Sequence, residues 1–424
     1  MPPQRWGEAE SNRELLTMWE LIRANKRNSV VLMVLMAAVL LLLGFVIGMA
    51  FNPEGGVFGL MIAAAIWLIL TLISFSSGDQ ILLAASRAAP VTHDVHPQLF
   101  NVVEEMKIAA GLPAMPKIYI INDPAPNAFA TGRKPENASV AVTAGLLARL
   151  NRDELQGVIA HEMSHIVHRD ILFVTFAGIM LGSVVLLSQV FLRGMFYSSM
   201  GGSRRRYSGD SRGGGQAQIV MLVVAIAAAI LAPILTQLLY FALSRRREYL
   251  ADAGAARLTR YPEGLASALE KIAGDPSPQL AVANKVTAPM YIVNPFKKRG
   301  QIKLSDLTST HPPISERIKV LRNMAQGASF KAYSDAFTSV THGRTVVPVA
   351  ALNAKEDVPL RQAGAEGKER VEKQMHQVGD IMRRVNQFIF LTCACGLKLK
   401  IPPNFKGDAV GCPRCGREIE LPRK

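Results

Sequence analysis

Residues 161–165 read His-Glu-Met-Ser-His, which sets two imidazoles and a carboxylate at the spacing a hydrolytic zinc site needs. On a helix, residues four apart share a face one turn apart, so His161 and His165 can reach one metal ion while Glu162 lies beside it without ligating. Zinc held by neutral nitrogens polarises a carbonyl and brings the pKa of water toward neutrality, and a neighbouring carboxylate takes the proton. That is the chemistry of peptide-bond hydrolysis, with Glu162 as general base.

Such a site needs a third protein ligand from elsewhere in the chain and one open position. Glu248, in Arg247-Glu248-Tyr249-Leu250-Ala251-Asp252, is the candidate. Asp252 falls one turn after Glu248 on the same face, where it can accept the free N–H of a ligating imidazole and fix its tautomer. Alone, a Glu-x-x-x-Asp pair reads as a solvated helix face; beside the histidine motif it reads as a ligand and its support. His168 shares the face of His161 and His165, but a rise of about 10 Å from His161 removes it from the same ion and makes it a helix-end or interfacial residue. The metzincin extension is excluded, because His168 and Ile171 stand where that motif needs glycine and histidine.

All four cysteines lie near the carboxyl end, as Cys393-Ala394-Cys395-Gly396 and Cys412-Pro413-Arg414-Cys415-Gly416. Two close pairs match a structural four-cysteine zinc ribbon, with Cys393, Cys395, Cys412 and Cys415 as ligands and a glycine after each pair for the tight turns. The rival is two disulfides, which a cytoplasmic location disfavours. The cofactors expected are therefore two Zn²⁺ ions, one catalytic and one structural.

The elements that must position these residues include membrane spans. Hydrophobic residues make up 49% of the chain. Four uncharged apolar stretches, near Ser29–Phe51, Gly56–Phe75, Ile171–Leu192 and Ile219–Leu243, each approach the roughly 20 residues that cross about 30 Å of hydrocarbon. The first starts too late and runs too long for a cleavable signal, so it is expected to remain as an anchor. Arg5, Arg13, Arg23, Lys26 and Arg27 precede it, while the turn Asn52–Gly55 carries no basic residue, which predicts a cytoplasmic amino terminus. The net charge of +15 fits a face held against anionic lipid, and without an aromatic-basic platform nucleic acid ranks low as a partner. One feature resists: Arg193, Arg204, Arg205, Arg206 and Arg212 lie between the third and fourth stretches, so that hairpin either crosses fully against the charge rule, the favoured reading, or dips incompletely. Either way it returns, and the zinc site is expected within roughly 10 Å of the membrane surface.

Between the second span and the motif the pattern is α+β. It predicts a helix over Pro97–Ala110, strands over Pro116–Ile121 and Ala138–Thr143, and an edge strand over Asn127–Thr131. An edge strand offers N–H and C=O groups to an extended peptide, so Asn127, Ala128 and Phe129 are candidate substrate-binding residues. Asn151 is the expected cap of the motif helix.

Together, His161–His165, the block Ser244–Asp252, Asn127–Gly132 and Thr310-His311-Pro312-Pro313 with Arg317 resemble the HtpX family of membrane-embedded zinc metallopeptidases, related to the Ste-type CAAX proteases. The resemblance covers roughly residues 10 to 343. It implies His161, His165 and Glu248 as zinc ligands, Glu162 as base, the strand around Asn127 along the substrate backbone, and His311 and Arg317 near the developing charge. Read from the residues alone, His311-Pro312-Pro313 is equally a helix-start signal. The resemblance further implies a bacterial inner-membrane endopeptidase with a cytoplasmic catalytic domain, acting on misfolded or damaged membrane proteins. The simple form of the family lacks the ribbon, which is read as an accessory module with a possible protein partner.

The expected organisation is α+β in a multi-pass membrane protein of about four spans with a zincin-like domain. Its divisions are a tail and transmembrane hairpin (1–80), a peptidase domain (81–343) with an inserted hairpin (171–243), a linker ending in an amphipathic helix (344–385) and a zinc ribbon (386–424). A zinc-stabilised scaffold with vestigial proteolysis and a CAAX-type prenyl-protein protease are the alternatives. Retention of Glu162 argues against the first, and four spans are few for the second.

Overall fold

Two antiparallel helices, α1 (Gln4–Phe51) and α2 (Gly56–Ala85), open the chain. Their backbones meet at glycines: a Cβ on Gly44 would stand 2.8 Å from the Gly59 carbonyl oxygen and 2.4 Å from Ala63 Cβ. Close backbone approach of this kind supplies dispersion contact where lipid removes the hydrophobic drive between helices. The computed structural model describes residues 4–200, 214–275, 291–292, 312–324, 327–347, 352, 358–362, 388–403, 405 and 407–421.

Among the described residues, three helical segments are long and apolar enough to cross a membrane: Ile22–Phe51, Gly56–Ala85 and Ile219–Leu238. Side chains such as Leu42, Phe58 and Leu231 point outward and exposed, an apolar sheath that suits lipid rather than water. The inserted hairpin is present as α6 (Asp170–Met200) packed against α7 (Gly214–Thr259). Within α6 the described apolar stretch, Met180–Phe196, is shorter than the other three. Arg204, Arg205, Arg206 and Arg212 lie outside the described residues.

The α7 helix joins membrane and peptidase layers. It continues through Pro233 and on to Thr259, so its amino-terminal part is a span while Tyr249, Leu250, Ala253 and Ala256 enter the main hydrophobic core.

That core lies between a sheet and a group of helices. The sheet comprises β1 (Ala88–Pro90), β2 (Lys117–Ile121), β3 (Ala128–Thr131) and β4 (Ser139–Thr143) in the order β1-β2-β4-β3, with β2 and β4 parallel and the other pairs antiparallel. The expected edge strand is thus β3. At the far edge β1 has no counterpart in the sequence pattern; it is short and ends in Pro90, a residue an edge tolerates. Helices α3 (Pro97–Ala109), α4 (Ala144–Arg149), α5 (Arg152–Val167), α8 (Pro262–Gly274), α9 (Ile314–Arg322) and α10 (Phe330–Val340) complete the layer.

Helix α5 carries the histidine motif and is tightly fixed. Asn151 and Glu154 form a reciprocal capping box at its start. At its end His168 caps it and Arg169 takes a left-handed φ of 60°, which breaks it from α6. Midway, a Cβ on Gly157 would lie 2.6 Å from the Leu265 amide nitrogen, so α5 and α8 pack backbone to backbone.

The ribbon is two hairpins, β5 (Ile389–Thr392) with β6 (Lys398–Ile401) and β7 (Ala409–Gly411) with β8 (Glu418–Glu420). Each turn carries a cysteine pair and closes on a glycine of positive φ, Gly396 or Gly416. The amphipathic helix expected late in the linker falls on residues 363–387, outside those described.

Candidate active site

Because α5 and α7 pack together, the two halves of the sequence pattern meet. His161 Nε2 lies 3.3 Å from His165 Nε2 and 3.5 Å from Glu248 Oε2, and His165 Nε2 lies 3.6 Å from Glu248 Oε1. Ligands about 2.0–2.1 Å from a tetrahedral zinc stand roughly 3.3–3.4 Å apart, so this donor triangle fits the ion's coordination edge. Two nitrogens and one carboxylate are also the donor set of a catalytic rather than a structural zinc.

The electrostatics fit a cation as well. Burial alone lowers the pKa of His161, but its hydrogen bonds to Asp252 and Glu248 outweigh that and raise it to about 9. The centre of the site therefore favours positive charge. Asp252 Oδ1 lies 3.0 Å from His161 Nδ1, the contact that leaves Nε2 to the metal. Burial pushes the Asp252 carboxyl up, yet Arg317 and His161 beside it hold it below the usual range.

Arg317 is wholly buried behind the ligand set. Its Nε and Nη2 donate to Asp252 at 2.8 and 2.7 Å, its Nη1 donates to the Ile292 carbonyl at 3.1 Å, and Nη1 stands 3.4 Å from Glu248 Oε2. His311 lies outside the described residues. His168 is buried at the end of α5 without a hydrogen bond to Nδ1 among them, and burial pushes its imidazole down to about 4, leaving it neutral.

Glu162 is buried next to the triangle. Burial raises its carboxyl above the ordinary value, against the lowering effect of His161, His165 and the Ala130 N–H that it accepts from. A carboxyl raised in this way is a better proton acceptor near neutral pH. The same hydrogen bond ties the base to β3. Along that strand, Asn127 bonds inward to Thr143, while Ala128 turns its carbonyl to the open edge and accepts from the Ile292 N–H at 3.0 Å. Phe129 packs edge-on against Tyr291, ring centroids 5.2 Å apart. The edge is therefore partly occupied: Glu162 accepts from the outward N–H of Ala130, and Ile292 donates to the outward carbonyl of Ala128.

Sequence reasoning missed Asp170. Its Oδ2 lies 3.4 Å from His165 Nδ1, the counterpart of the Asp252 contact to His161. An isolated acid at the mouth of an apolar stretch is the signal the sequence offers.

In the ribbon, Cys393 Sγ and Cys415 Sγ stand 3.5 Å apart, and Cys395 Sγ and Cys412 Sγ 3.6 Å, with all four sulfurs within 4.8 Å of one another. Zinc–sulfur bonds of about 2.3 Å require separations near that size.

Residues 93–325 match peptidase family M48, a range that contains the triangle, Glu162, Asp252 and Arg317. The chain belongs to peptidase family M48. Relatives of this M48 peptidase include the protease HtpX homolog of Dictyoglomus thermophilum, 46% identical over 310 residues covering 73% of this chain and 96% of the relative. The homolog of Caldanaerobacter subterraneus is 44% identical over 308 residues, covering 73% and 98%. That of Listeria monocytogenes is 43% identical over 310 residues, covering 72% and 100%. A solved structure, S. mikatae Ste24p, is weakly similar, at 20% identity and a TM-score of 0.38 over 71% of this chain and 66% of that one. By the family match and the HtpX-homolog relatives, the M48 peptidase is a membrane-bound zinc metalloendopeptidase. Its ribbon lies beyond the residues that match the family.

Proposed function

We propose that this peptidase sits in a bacterial inner membrane with its catalytic layer on the cytoplasmic side, and cuts misfolded or damaged membrane proteins near the bilayer surface. Arg5, Arg13, Arg23, Lys26 and Arg27, ahead of the apolar run of α1, and the Asn52–Gly55 turn, which carries no basic residue, support that orientation. The position of the site supports the substrate class: Glu248 lies five residues beyond the apolar run that ends at Leu243, roughly 8 Å along one continuous helix. Segments of membrane proteins that emerge from the bilayer meet it first. The HtpX resemblance points the same way.

In this reading one zinc is held by His161, His165 and Glu248, and a second, structural one by the four cysteines. The catalytic ion supplies a Lewis acid that polarises the scissile carbonyl and acidifies water. Glu162 takes the proton of the attacking water and delivers it to the leaving amine, which its buried, raised carboxyl suits it to do. Asp252 and Asp170 fix the imidazoles, and Arg317 acts through Asp252 and Glu248. His311, three residues before α9, is the candidate to meet the developing oxyanion. A substrate strand that pairs along Asn127, Ala128 and Phe129 replaces the Ile292 hydrogen bond at Ala128. The ribbon offers a surface to a protein partner.

The observation that carries this reading is the donor triangle with Glu162 beside it, at the membrane end of α5 and α7. Comparing membrane proteomes of cells holding the wild type and Glu162→Gln tests it. Fragments of membrane proteins should appear with the wild type alone; fragments confined to soluble proteins would refute the substrate class.

A further inference from the structure

Both zinc imidazoles rest on a buried carboxylate that is itself held by a buried arginine. His161 has Asp252 and Arg317, the pair that the Glu-x-x-x-Asp spacing announces. His165 has Asp170, and Asp170 has Arg247, whose Nη1 lies 3.6 Å from Asp170 Oδ1. Asp170 is fully buried, as are Arg247 and Asn25 apart from a few per cent of their surface.

The second set differs from the first in where its members come from. Asp170 is the first residue of α6. Asn25 of α1 donates through Nδ2 to Asp170 Oδ1 at 3.0 Å and reaches the His168 carbonyl at 3.5 Å. Arg247 of α7 donates through Nη2 to Ser29 Oγ at 3.0 Å, and Ser29 in turn donates to the Asn25 carbonyl at 2.6 Å. Helices α1, α6 and α7 thus converge on one carboxylate, and that carboxylate points its other oxygen at a zinc ligand.

We infer that Asp170 is the positioning residue for His165, and that Asn25 and Arg247 make the metal affinity of the site depend on how α1, α6 and α7 pack. The proposal rests on the zinc-peptidase reading of the triangle. A carboxylate accepting from Nδ1 selects the tautomer that leaves Nε2 for the metal, makes that nitrogen more basic and stops ring rotation; losing such a partner typically weakens metal binding 10- to 100-fold. Asn25 touches neither the metal nor any ligand; its side chain meets Asp170 at 3.0 Å and, more loosely, the His168 carbonyl, so an effect on affinity when it is changed travels through the support of His165 and not through a direct contact with the ion.

The test uses full-length protein in lipid nanodiscs, comparing wild type, Asp170→Asn and Asn25→Ala. A chelator titration followed by zinc content resolves the catalytic ion from the ribbon ion, because four thiolates hold zinc more tightly than two imidazoles and a carboxylate. Refilling the stripped site with Co²⁺ then reports the ligand field as visible absorption. Asp170→Asn should release the catalytic zinc at a chelator concentration at least about tenfold lower than wild type, with the ribbon step unmoved and the Co²⁺ band shifted. Asn25→Ala should shift the same step in the same direction by less. Unchanged release and an unchanged Co²⁺ spectrum in either folded variant overturn the proposal, and Asn25→Ala decides it alone if Asp170→Asn does not fold. A wild type that shows only the ribbon step would instead defeat the zinc-peptidase reading itself.

Discussion

Arg317 grips both carboxylate oxygens of Asp252 in a buried bidentate pair, at 2.8 and 2.7 Å, directly behind the imidazole of His161. Neither side chain is exposed. The pair holds a metal ligand in place without touching the ion. Asp252→Asn keeps the shape and loses the charge, so zinc affinity should fall about 10- to 100-fold, measured by chelator competition. Arg317→Met strands a buried carboxylate, so the thermal unfolding midpoint should drop in proportion to a loss of about 3–5 kcal/mol. A fully stable Arg317→Met protein would show that the pair is not what holds Asp252.

Glu248 should behave as a ligand. Glu248→Ala leaves two imidazoles, too few for tight binding, so metal analysis should fall from two zinc per chain to one while the ribbon keeps its ion. An unchanged count of two sinks the assignment.

The ribbon should be separable from the chemistry. Truncation near Arg384 removes four cysteines and none of the residues around the triangle, so a small unfolded peptide should still be cut. A truncated protein that is folded and zinc-loaded yet inert on every peptide would join the ribbon to the active site.

Local spacing makes the core of the site readable. His161, Glu162 and His165 depend only on the period of one helix, as do Glu248 and Asp252, and the spans announce themselves by sustained apolar runs. What stays hidden depends on where separate elements meet. Asp170 reaches His165 only because a left-handed Arg169 ends α5 and restarts the chain as α6. Asn25 and Arg247 share a partner through the packing of α1 against α7, which no periodicity encodes. The edge position of β3 follows from its pattern, but its partial occupation by Ile292 is a contact more than 150 residues away along the chain. Arg317 reads in the sequence as a group for developing charge, and the structure turns three of its nitrogens toward Asp252, Glu248 and Ile292.

Orientation can be read by thiol labelling, since the native cysteines are confined to the ribbon. With those four replaced, single cysteines at Glu54, Ser77 and Ser208 are probed in intact cells with an impermeant reagent. Glu54 should label and Ser77 should not. Labelling at Ser208 from outside shows that α6 and α7 cross fully despite the arginines between them; protection until lysis shows a hairpin that only dips. Labelling at Ser77 inverts the arrangement.

The most direct test of the central claim is Glu162→Gln, which removes the proton acceptor and little else. Purified in lipid with both zinc ions bound, the variant should keep its fold and lose cleavage of a model membrane substrate by at least about 100-fold, the least that general-base catalysis usually contributes. Residual activity above about a tenth of wild type in a zinc-loaded variant would contradict the account.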